Sequence, residues 1–248
     1  MKIQLLGSGT CIPSTRRGSS SYLVSVNSKN ILFDCGNGTT WKLEKVGVNY
    51  LDIDYIFITH FHPDHNSDLI PFLFATKYPA TFVRTKPLYV WGPEGFKNFF
   101  NSLKLVYNDW IEPECLEINE FDFDEKISDE FKLSYLKTLH TDNSLAYKLE
   151  SDKKTVVYSG DTDYTDSFVN FASASDLLII ECSFPDRLKK HGHLTPSDII
   201  KIANLSKPKK IVLTHMYPVC DEENIFDQIN DGTDCEVIIG EDFLKIEV

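Results

Sequence analysis

The chain has 248 residues, 42% of them hydrophobic, which is enough to bury a sizeable core in one domain spanning 1–248. It carries 37 acidic against 25 basic residues, a net charge of −12. A uniformly acidic surface repels polyanions, which disfavours avid sequence-independent binding of nucleic acid.

Cysteine usage and the N-terminus indicate where the protein resides. The six cysteines are scattered without a C-x-x-C pair, so reduced thiols explain them better than a disulfide framework. The first apolar run is broken by Gly7, too early for a signal peptide, and no apolar run approaches a membrane span. We therefore expect a cytoplasmic protein with no membrane partner.

The sequence of the N-terminal third predicts mainly β-strands. Strands are expected over 2–6, 21–26 and 31–33, with a hairpin turn at 27–30 between the last two. Asp34 follows the third strand, where it suits either support of a metal-binding histidine or a simple turn or helix cap. A helix is expected through Trp41 and Val46, ending near Gly47.

The run from Thr59 to His65 is the most informative stretch, because it places His60, His62, Asp64 and His65 within six positions after an apolar strand at 55–58. Imidazole and carboxylate donors suit Zn, Mn or Fe, and the absence of cysteine argues against a closed structural zinc site. His60 and His62 point to the same side of extended backbone and can share one ion. Asp64 and His65 lie past Pro63, displaced enough to serve a second ion, which predicts a two-metal hydrolytic site.

The rest of the chain alternates helices and strands. Helices are expected at 68–75, 93–106 and 196–205, strands at 87–91, 131–139, 145–149, 155–158, 177–180 and 211–213, and two short strands around Asp242. The helix at 68–75 is strongly apolar and expected to be buried. The acidic segment 112–130 is expected to form solvated edge strands and turns.

Three motifs together resemble the metallo-β-lactamase superfamily, and specifically its ribonuclease Z-like branch. They are the His-x-His-x-Asp-His run at 60–65, the Asp-Cys-Gly-x-Gly-Thr element at 34–39 and Ser-Gly-Asp-Thr at 159–162. The resemblance extends from Leu5 to about His215. It implies a four-layer αββα sandwich, in which two mixed sheets lie face to face with helices outside.

The resemblance also implies a ligand set for two divalent metal ions, zinc by expectation with Mn or Fe as alternatives. The first ion would be held by His60, His62 and His140, the second by Asp64, His65 and His215, and Asp161 would bridge them. Either His140 or His215, taken alone, could equally be a core histidine with its hydrogen bonds satisfied.

Catalytic residues follow from the same resemblance. Asp64 would both bind metal and accept a proton from the attacking water. His193 would act on the substrate phosphate or the leaving group, although Leu194 departs from the family's His-Ser-Thr and an exposed loop histidine is the alternative. Glu181 would hydrogen-bond His193 and raise its pKa. The surrounding loop carries Arg187, Lys189 and Lys190, which would offer positive potential to an anionic substrate.

The leading hypothesis is a dinuclear metal-dependent phosphodiesterase of the ribonuclease Z-like type, using a metal-bridged hydroxide. Enzymes of this kind that process tRNA usually carry a long flexible arm between the residues that correspond to His140 and Asp161, whereas only 21 positions separate these two residues here. We therefore expect a small or short phosphodiester substrate, such as an RNA end. Relatives in this branch are often dimers, which raises a homodimer as one arrangement.

Two other classes of function remain open. A metal-dependent hydrolase of a non-phosphate ester, such as a lactone, thioester or sulfate ester, would share most ligands but would not depend on His193. A degenerate member that only binds is disfavoured, because all seven ligand positions are occupied.

Overall fold

A computed structural model describes residues 1–121 and 128–248, and within them thirteen strands and seven α-helices alternate along the chain. The strands, in chain order, are β1 Lys2–Gly7, β2 Ser21–Val26, β3 Lys29–Phe33, β4 Tyr55–Phe57, β5 Leu88–Gly92, β6 Leu116–Glu120, β7 Lys132–Lys137, β8 Leu145–Ser151, β9 Lys154–Tyr158, β10 Leu177–Glu181, β11 Lys210–Thr214, β12 Glu236–Ile239 and β13 Lys245–Glu247. The helices are α1 Thr39–Lys45, α2 Pro63–Asn66, α3 Leu69–Lys77, α4 Phe96–Tyr107, α5 Asp166–Phe171, α6 Pro196–Ser206 and α7 Ile225–Gly232.

The strands form two mixed sheets. The first runs in the order β13-β1-β2-β3-β4-β5-β6 and the second in the order β12-β11-β10-β9-β8-β7. In the first sheet β3 to β6 are parallel, and in the second β9 to β12 are parallel. The remaining neighbours pair antiparallel.

Three apolar clusters define the layers. The central cluster joins inward side chains of both sheets, among them Phe33 and Phe57 of the first and Tyr147 and Tyr158 of the second. A second cluster packs α5, α6 and α7 against the outer face of the second sheet, and a third packs α1, α3 and α4 against the first. The predicted four-layer αββα sandwich is therefore confirmed.

The polar residues of interest lie where the parallel strands end. Asp34 follows β3, His60 follows β4, Asp161 follows β9 and His215 follows β11. The carboxyl ends of parallel neighbours lie at one edge of a sheet. Hydrogen bonds join the two sheets near this edge: the Tyr147 hydroxyl donates to the Ile58 carbonyl at 2.5 Å, and the Leu145 N–H donates to the Thr59 carbonyl at 3.0 Å.

Most predicted elements are present with shifted ends. The hairpin turn is shorter than predicted, because only Asn27 and Ser28 leave the strands, both with positive φ. The helix expected at 68–75 spans Leu69–Lys77 but is not buried throughout, since Phe74 is 48% exposed. Within the acidic segment 112–130, β6 is an edge strand as expected, and residues 122–127 lie outside the described part of the chain.

Two helices were not predicted from the sequence. α5 is only six residues long, and its start is fixed by Thr165, whose side chain accepts a hydrogen bond from the Phe168 N–H. α7 contains Asp227, Asn230 and Gly232, which are poor helix formers, and it forms because Ile225 and Ile229 pack into the core of the second half.

Candidate metal centre

Four of the predicted metal-binding residues form one cluster, in which a donor atom of each lies within 4.8 Å of the others: His60, His62, His140 and Asp161. Nδ1 of His62 lies 3.1 Å from Nε2 of His60 and 3.1 Å from Nε2 of His140. The Asp161 Oδ2 atom lies 3.7 Å from Nε2 of His60 and 3.6 Å from Nε2 of His140. Three imidazoles and one carboxylate are a donor set that zinc accepts.

A second cluster consists of Asp64, His65 and His215, again with donor atoms within 4.8 Å of one another. Nε2 of His65 lies 3.3 Å from Nε2 of His215, and Oδ2 of Asp64 lies 3.4 Å from the latter. As predicted, Asp64 and His65 sit on a short helix that begins at Pro63, which displaces them from His60 and His62.

Asp161 lies between the two clusters. Its Oδ1 is 3.4 Å from Nε2 of His65 and its Oδ2 is 3.5 Å from Nε2 of His215, in addition to its contacts with the first cluster. Asp161 is 2% exposed, and Oδ1 is buried without a hydrogen-bond partner among the described residues. An orphaned buried carboxylate oxygen is costly, and a cation bound between the clusters would satisfy it. The residues therefore fit a divalent metal.

Four histidines are held so that Nε2 faces the centre. Each Nδ1 has a partner in the protein: Thr59 Oγ1 for His60 at 3.0 Å, Asp34 Oδ2 for His65 at 2.7 Å, the Gly192 carbonyl for His140 at 2.9 Å and Ser183 Oγ for His215 at 3.0 Å. Such partners fix the ring orientation and tautomer of metal-binding histidines. The arrangement thus prepares four Nε2 atoms for a metal.

Gly192 shows how closely this support is built. Its φ is +84°, and a Cβ there would lie 2.9 Å from Nδ1 of His140. A side chain would both strain the backbone and displace the imidazole, so glycine is required for the hydrogen bond between the His140 ring and the Gly192 carbonyl.

The surroundings favour the ionised form of Asp64 and Asp161 and the neutral form of His60 and His140. Burial lowers the pKa of His60 well below its ordinary value and also lowers that of His140. Burial alone would raise the pKa of Asp64, but the hydrogen bond with His215 and neighbouring positive charge lower it to about 2. Burial likewise opposes ionisation of Asp161, yet the charges on His215 and His65 hold its pKa well below the usual range. These are the protonation states that bind a divalent ion.

The pKa of His65 is shifted in the opposite direction from those of His60 and His140. Burial would lower its pKa, but the carboxylates of Asp161 and Asp34 outweigh burial and raise that pKa well above its ordinary value. A metal ion bound at Nε2 would displace a proton from His65, so metal affinity would fall as the pH falls.

Beside the second cluster lies the pair of His193 and Glu181. Nδ1 of His193 is 3.1 Å from Oε1 of Glu181, and a nitrogen of His193 lies within 4.8 Å of donor atoms of Asp161 and His215. Burial would lower the pKa of His193, but the hydrogen bond and charge of Glu181 raise it. The contact predicted between these two residues is present.

Glu181 is fully buried and satisfied by several donors. The Thr162 N–H donates to it at 2.8 Å, the Leu194 N–H at 3.2 Å, and the Ser183 hydroxyl through a short bond. Ser183 was not identified from the sequence, although it also contacts His193 and His215. The only available signal was its position two residues after Glu181 at a strand end.

The basic loop is largely neutralised by the protein itself. Arg187 pairs with Glu223, and Nζ of Lys189 lies 2.6 Å from Asp163 and 2.5 Å from Asp198. Lys190 is exposed. These pairings reduce the positive potential that Arg187 and Lys189 can offer, and substrate binding by the three residues stays a prediction.

The chain is similar to known proteins over most of its length. The family model described as the metallo-beta-lactamase superfamily matches residues 14–215. Ribonuclease Z of Methanosarcina mazei is 26% identical, over all of this chain and 98% of its own length, and the probable metallo-hydrolase YhfI of Bacillus subtilis is 28% identical over 87% of both.

Two solved structures are similar to this chain over its whole length. The metallo-beta-lactamase fold protein YhfI from Bacillus subtilis superposes with a TM-score of 0.88 at 26% identity, covering 100% of this chain and 99% of its own. The short form of human tRNase Z gives a TM-score of 0.80 at 26% identity, with the same coverage. No helix among the described residues is long and apolar enough to span a membrane.

Proposed function

The chain belongs to the metallo-β-lactamase superfamily, and on this premise we propose that it is a dinuclear phosphodiesterase of the ribonuclease Z-like type. That the protein is a metallo-hydrolase follows from the family and its named relatives. The proposal that it acts on phosphodiesters is supported by the His193–Glu181 pair beside Asp161 and His215. Hydrolysis of a phosphodiester benefits from an acid at the leaving-group oxygen, and His193 could be that acid.

The proposed ligands divide between two ions as the clusters do. His60, His62 and His140 would hold one ion, Asp64, His65 and His215 the other, and Asp161 both. When bound, two divalent ions supply Lewis acidity toward a phosphoryl oxygen and lower the pKa of a water held between them toward ~7. We propose zinc, with Mn or Fe as alternatives for such donors.

Asp64 would then orient the attacking water, and His193 would protonate the leaving group. Asp64, whose pKa is lowered to about 2, stays ionised at neutral pH and can orient the attacking water by accepting its hydrogen bond. The hydrogen bond and charge of Glu181 raise the pKa of His193 against the effect of burial, which favours the protonated ring, and Nε2 lies on the far side of the ring from Glu181. That nitrogen is suited to protonate the leaving-group oxygen, after which Glu181 holds the neutral ring in place.

A short substrate is supported by the size of the chain. The alignment with ribonuclease Z of Methanosarcina mazei covers 305 positions, 57 more than this chain has residues, whereas that with YhfI covers 222. Between His140 and Asp161 the structure has only the β8–β9 hairpin. With a net charge of −12, a substrate needing many phosphate contacts is disfavoured. We propose a small or short phosphodiester, such as an RNA end.

We also propose a cytoplasmic location and a single functional domain. The six cysteines are all free thiols, which supports a cytoplasmic location. Ligands from both sheets meet in one site, which supports a single functional domain over 1–248. A homodimer stays a prediction from the family resemblance.

The proposal is tested by measuring metal content and turnover on the same preparation. Two metals per chain and hydrolysis of bis-p-nitrophenyl phosphate are expected, with activity abolished in Asp64→Ala and reduced on the order of 100-fold in His193→Ala. His191→Ala is the matched control, because His191 is an exposed histidine in the same loop. Turnover confined to lactones or thioesters, unaffected by His193→Ala, would contradict the phosphodiesterase proposal.

A precursor tRNA is included in the same assay. Cleavage at a rate comparable to that of the model diester would contradict the short-substrate proposal and indicate tRNA processing without an arm. A protein that holds no metal after incubation with Zn or Mn would contradict the enzyme proposal as a whole.

A further inference from the structure

Two aromatic side chains stand at the rim of the metal centre. The rings of Phe184 and Tyr217 stack, with centroids 4.4 Å apart and planes at 25°, and both residues are half-buried. Phe184 follows β10 three residues after Glu181, and Tyr217 follows β11 two residues after His215. The pair therefore extends the same strand ends that carry the catalytic residues.

The pair lies on the His193 side of the centre. The Phe184 ring is edge-on to His193 at 5.8 Å, and the Tyr217 ring is edge-on to His215 at 6.2 Å and to His193 at 6.5 Å. The Tyr217 hydroxyl lies 3.9 Å from Sγ of Cys11, which is exposed. The two rings therefore border His193, the residue proposed to act at the leaving-group oxygen.

Neither ring is accounted for by the chemistry proposed above. Electrostatic attraction for a nucleotide is also weak here, because the chain is acidic and Arg187 and Lys189 are engaged in ion pairs. Stacking of bases on aromatic side chains supplies affinity without positive charge and with little dependence on base identity.

We propose that Phe184 and Tyr217 form a stacking platform for a nucleobase of the substrate, an inference that rests on the proposed phosphodiesterase function. A nucleobase fits better than a simple aryl group because of the offset. The Phe184 ring centroid lies 5.8 Å from that of His193 and the Tyr217 centroid 6.2 Å from that of His215, and in a nucleotide the sugar holds the base away from the phosphate. The ring of an aryl phosphate is bonded directly to the phosphate oxygen and has no such spacer.

The test measures binding to the zinc-loaded protein by calorimetry, not turnover. The probes are ribose 5-phosphate, adenosine 5′-monophosphate and phenyl phosphate. We expect adenosine 5′-monophosphate to bind wild type on the order of 10-fold more tightly than ribose 5-phosphate, the increment that one stacked base provides. Phenyl phosphate should bind no more tightly than ribose 5-phosphate.

The variants separate the platform from the phosphate site. Phe184→Leu and Tyr217→Leu should abolish the 10-fold preference while leaving the affinity for ribose 5-phosphate unchanged, which also shows that the variants fold. Tyr217→Phe keeps the ring and should retain the preference. Trp110→Leu, which removes an exposed aromatic ring from the outer helical layer, is the control and should behave as wild type.

Equal affinity for the nucleotide and the sugar phosphate in wild type would overturn the proposal, as would a preference that survives both leucine variants. A gain for phenyl phosphate without one for adenosine 5′-monophosphate would overturn the nucleobase assignment. If none of the three probes binds, the phosphate site that the platform requires is absent and the platform proposal fails, whereas normal binding of ribose 5-phosphate confines any failure to the aromatic pair. Absence of bis-p-nitrophenyl phosphate hydrolysis is the separate outcome that contradicts the phosphodiesterase proposal.

Discussion

Oδ2 of Asp34 lies 2.7 Å from Nδ1 of His65, and this contact sets the direction in which His65 presents Nε2. The carboxylate is itself fixed by the Thr59 N–H at 2.8 Å, by the Thr59 hydroxyl and by the Tyr158 hydroxyl at 2.8 Å. Asp34 follows a strand of the first sheet and Tyr158 belongs to the second. The carboxylate of Asp34 therefore links the candidate ligand His65 to both sheets.

Replacing Asp34 is expected to weaken metal binding. Asp34→Asn keeps the size of the side chain and tolerates the positive φ of 59°, but it removes the charge that favours the Nδ1–H tautomer of His65. Loss of such support typically costs 10- to 100-fold in metal affinity, so we expect a decrease on the order of 10-fold. Competition with a zinc chelator measures it, and Asp52→Asn, an exposed site, serves as the control. Unchanged affinity would show that Asp34 acts only in folding.

The pH dependence should report the Glu181–His193 pair. Glu181 raises the pKa of His193, so Glu181→Gln lowers it. If protonated His193 is the acid, activity is lost as the pH rises through its pKa, and in the variant that loss occurs at lower pH. The profile of kcat/KM against pH measures the shift, with Glu222→Gln as an exposed control. An alkaline limb that does not move in Glu181→Gln would contradict the assigned role of His193.

Stability should depend on metal through Asp161. A ligand that binds only the folded state stabilises it by about 2.7 kcal/mol when present at 100 times its Kd. Wild type should therefore unfold at a higher temperature with saturating zinc than after chelation. Asp161→Asn removes the charge shared by both clusters and should lose most of this increment. Calorimetric unfolding with and without zinc measures the difference, and an increment equal to that of wild type would exclude Asp161 as a ligand.

The buried side chain of Arg84, which is not part of the metal centre, is expected to stabilise the fold. The Arg84 guanidinium is almost fully buried and donates to the carbonyls of Leu51 at 2.6 Å, Ile53 at 2.5 Å and Lys86 at 2.8 Å, and also to that of Pro87. Arg84→Met leaves these carbonyls unpaired and should reduce the free energy of unfolding by roughly 3–5 kcal/mol. Denaturant unfolding measures it, and Lys97→Met, at an exposed position of α4, should change it little.

The sequence predicted best what is local. The histidine run after β4 could be interpreted from its spacing alone, because neighbouring positions on a strand end and a short helix have known directions. His140, Asp161 and His215 required the family resemblance, since nothing local distinguishes them from core residues. The partners of Arg187 and Lys189 could not be predicted, because Glu223, Asp163 and Asp198 come from separate segments that only the folded chain brings together. Ser183 was missed for the same reason.

The candidate ligands are divided between the two sheets, so metal uptake would require the sheets to come together. His60, His62, Asp64 and His65 are neighbours in the chain, but His62 meets His140 across 78 positions and His65 meets His215 across 150. Contacts of such long sequence separation form late and slowly during folding. The nascent chain would therefore hold only half a coordination shell, with weak affinity, until the two sheets dock. Tight zinc uptake should appear as the last kinetic phase of refolding, and its rate should be that of sheet docking rather than that of zinc diffusion.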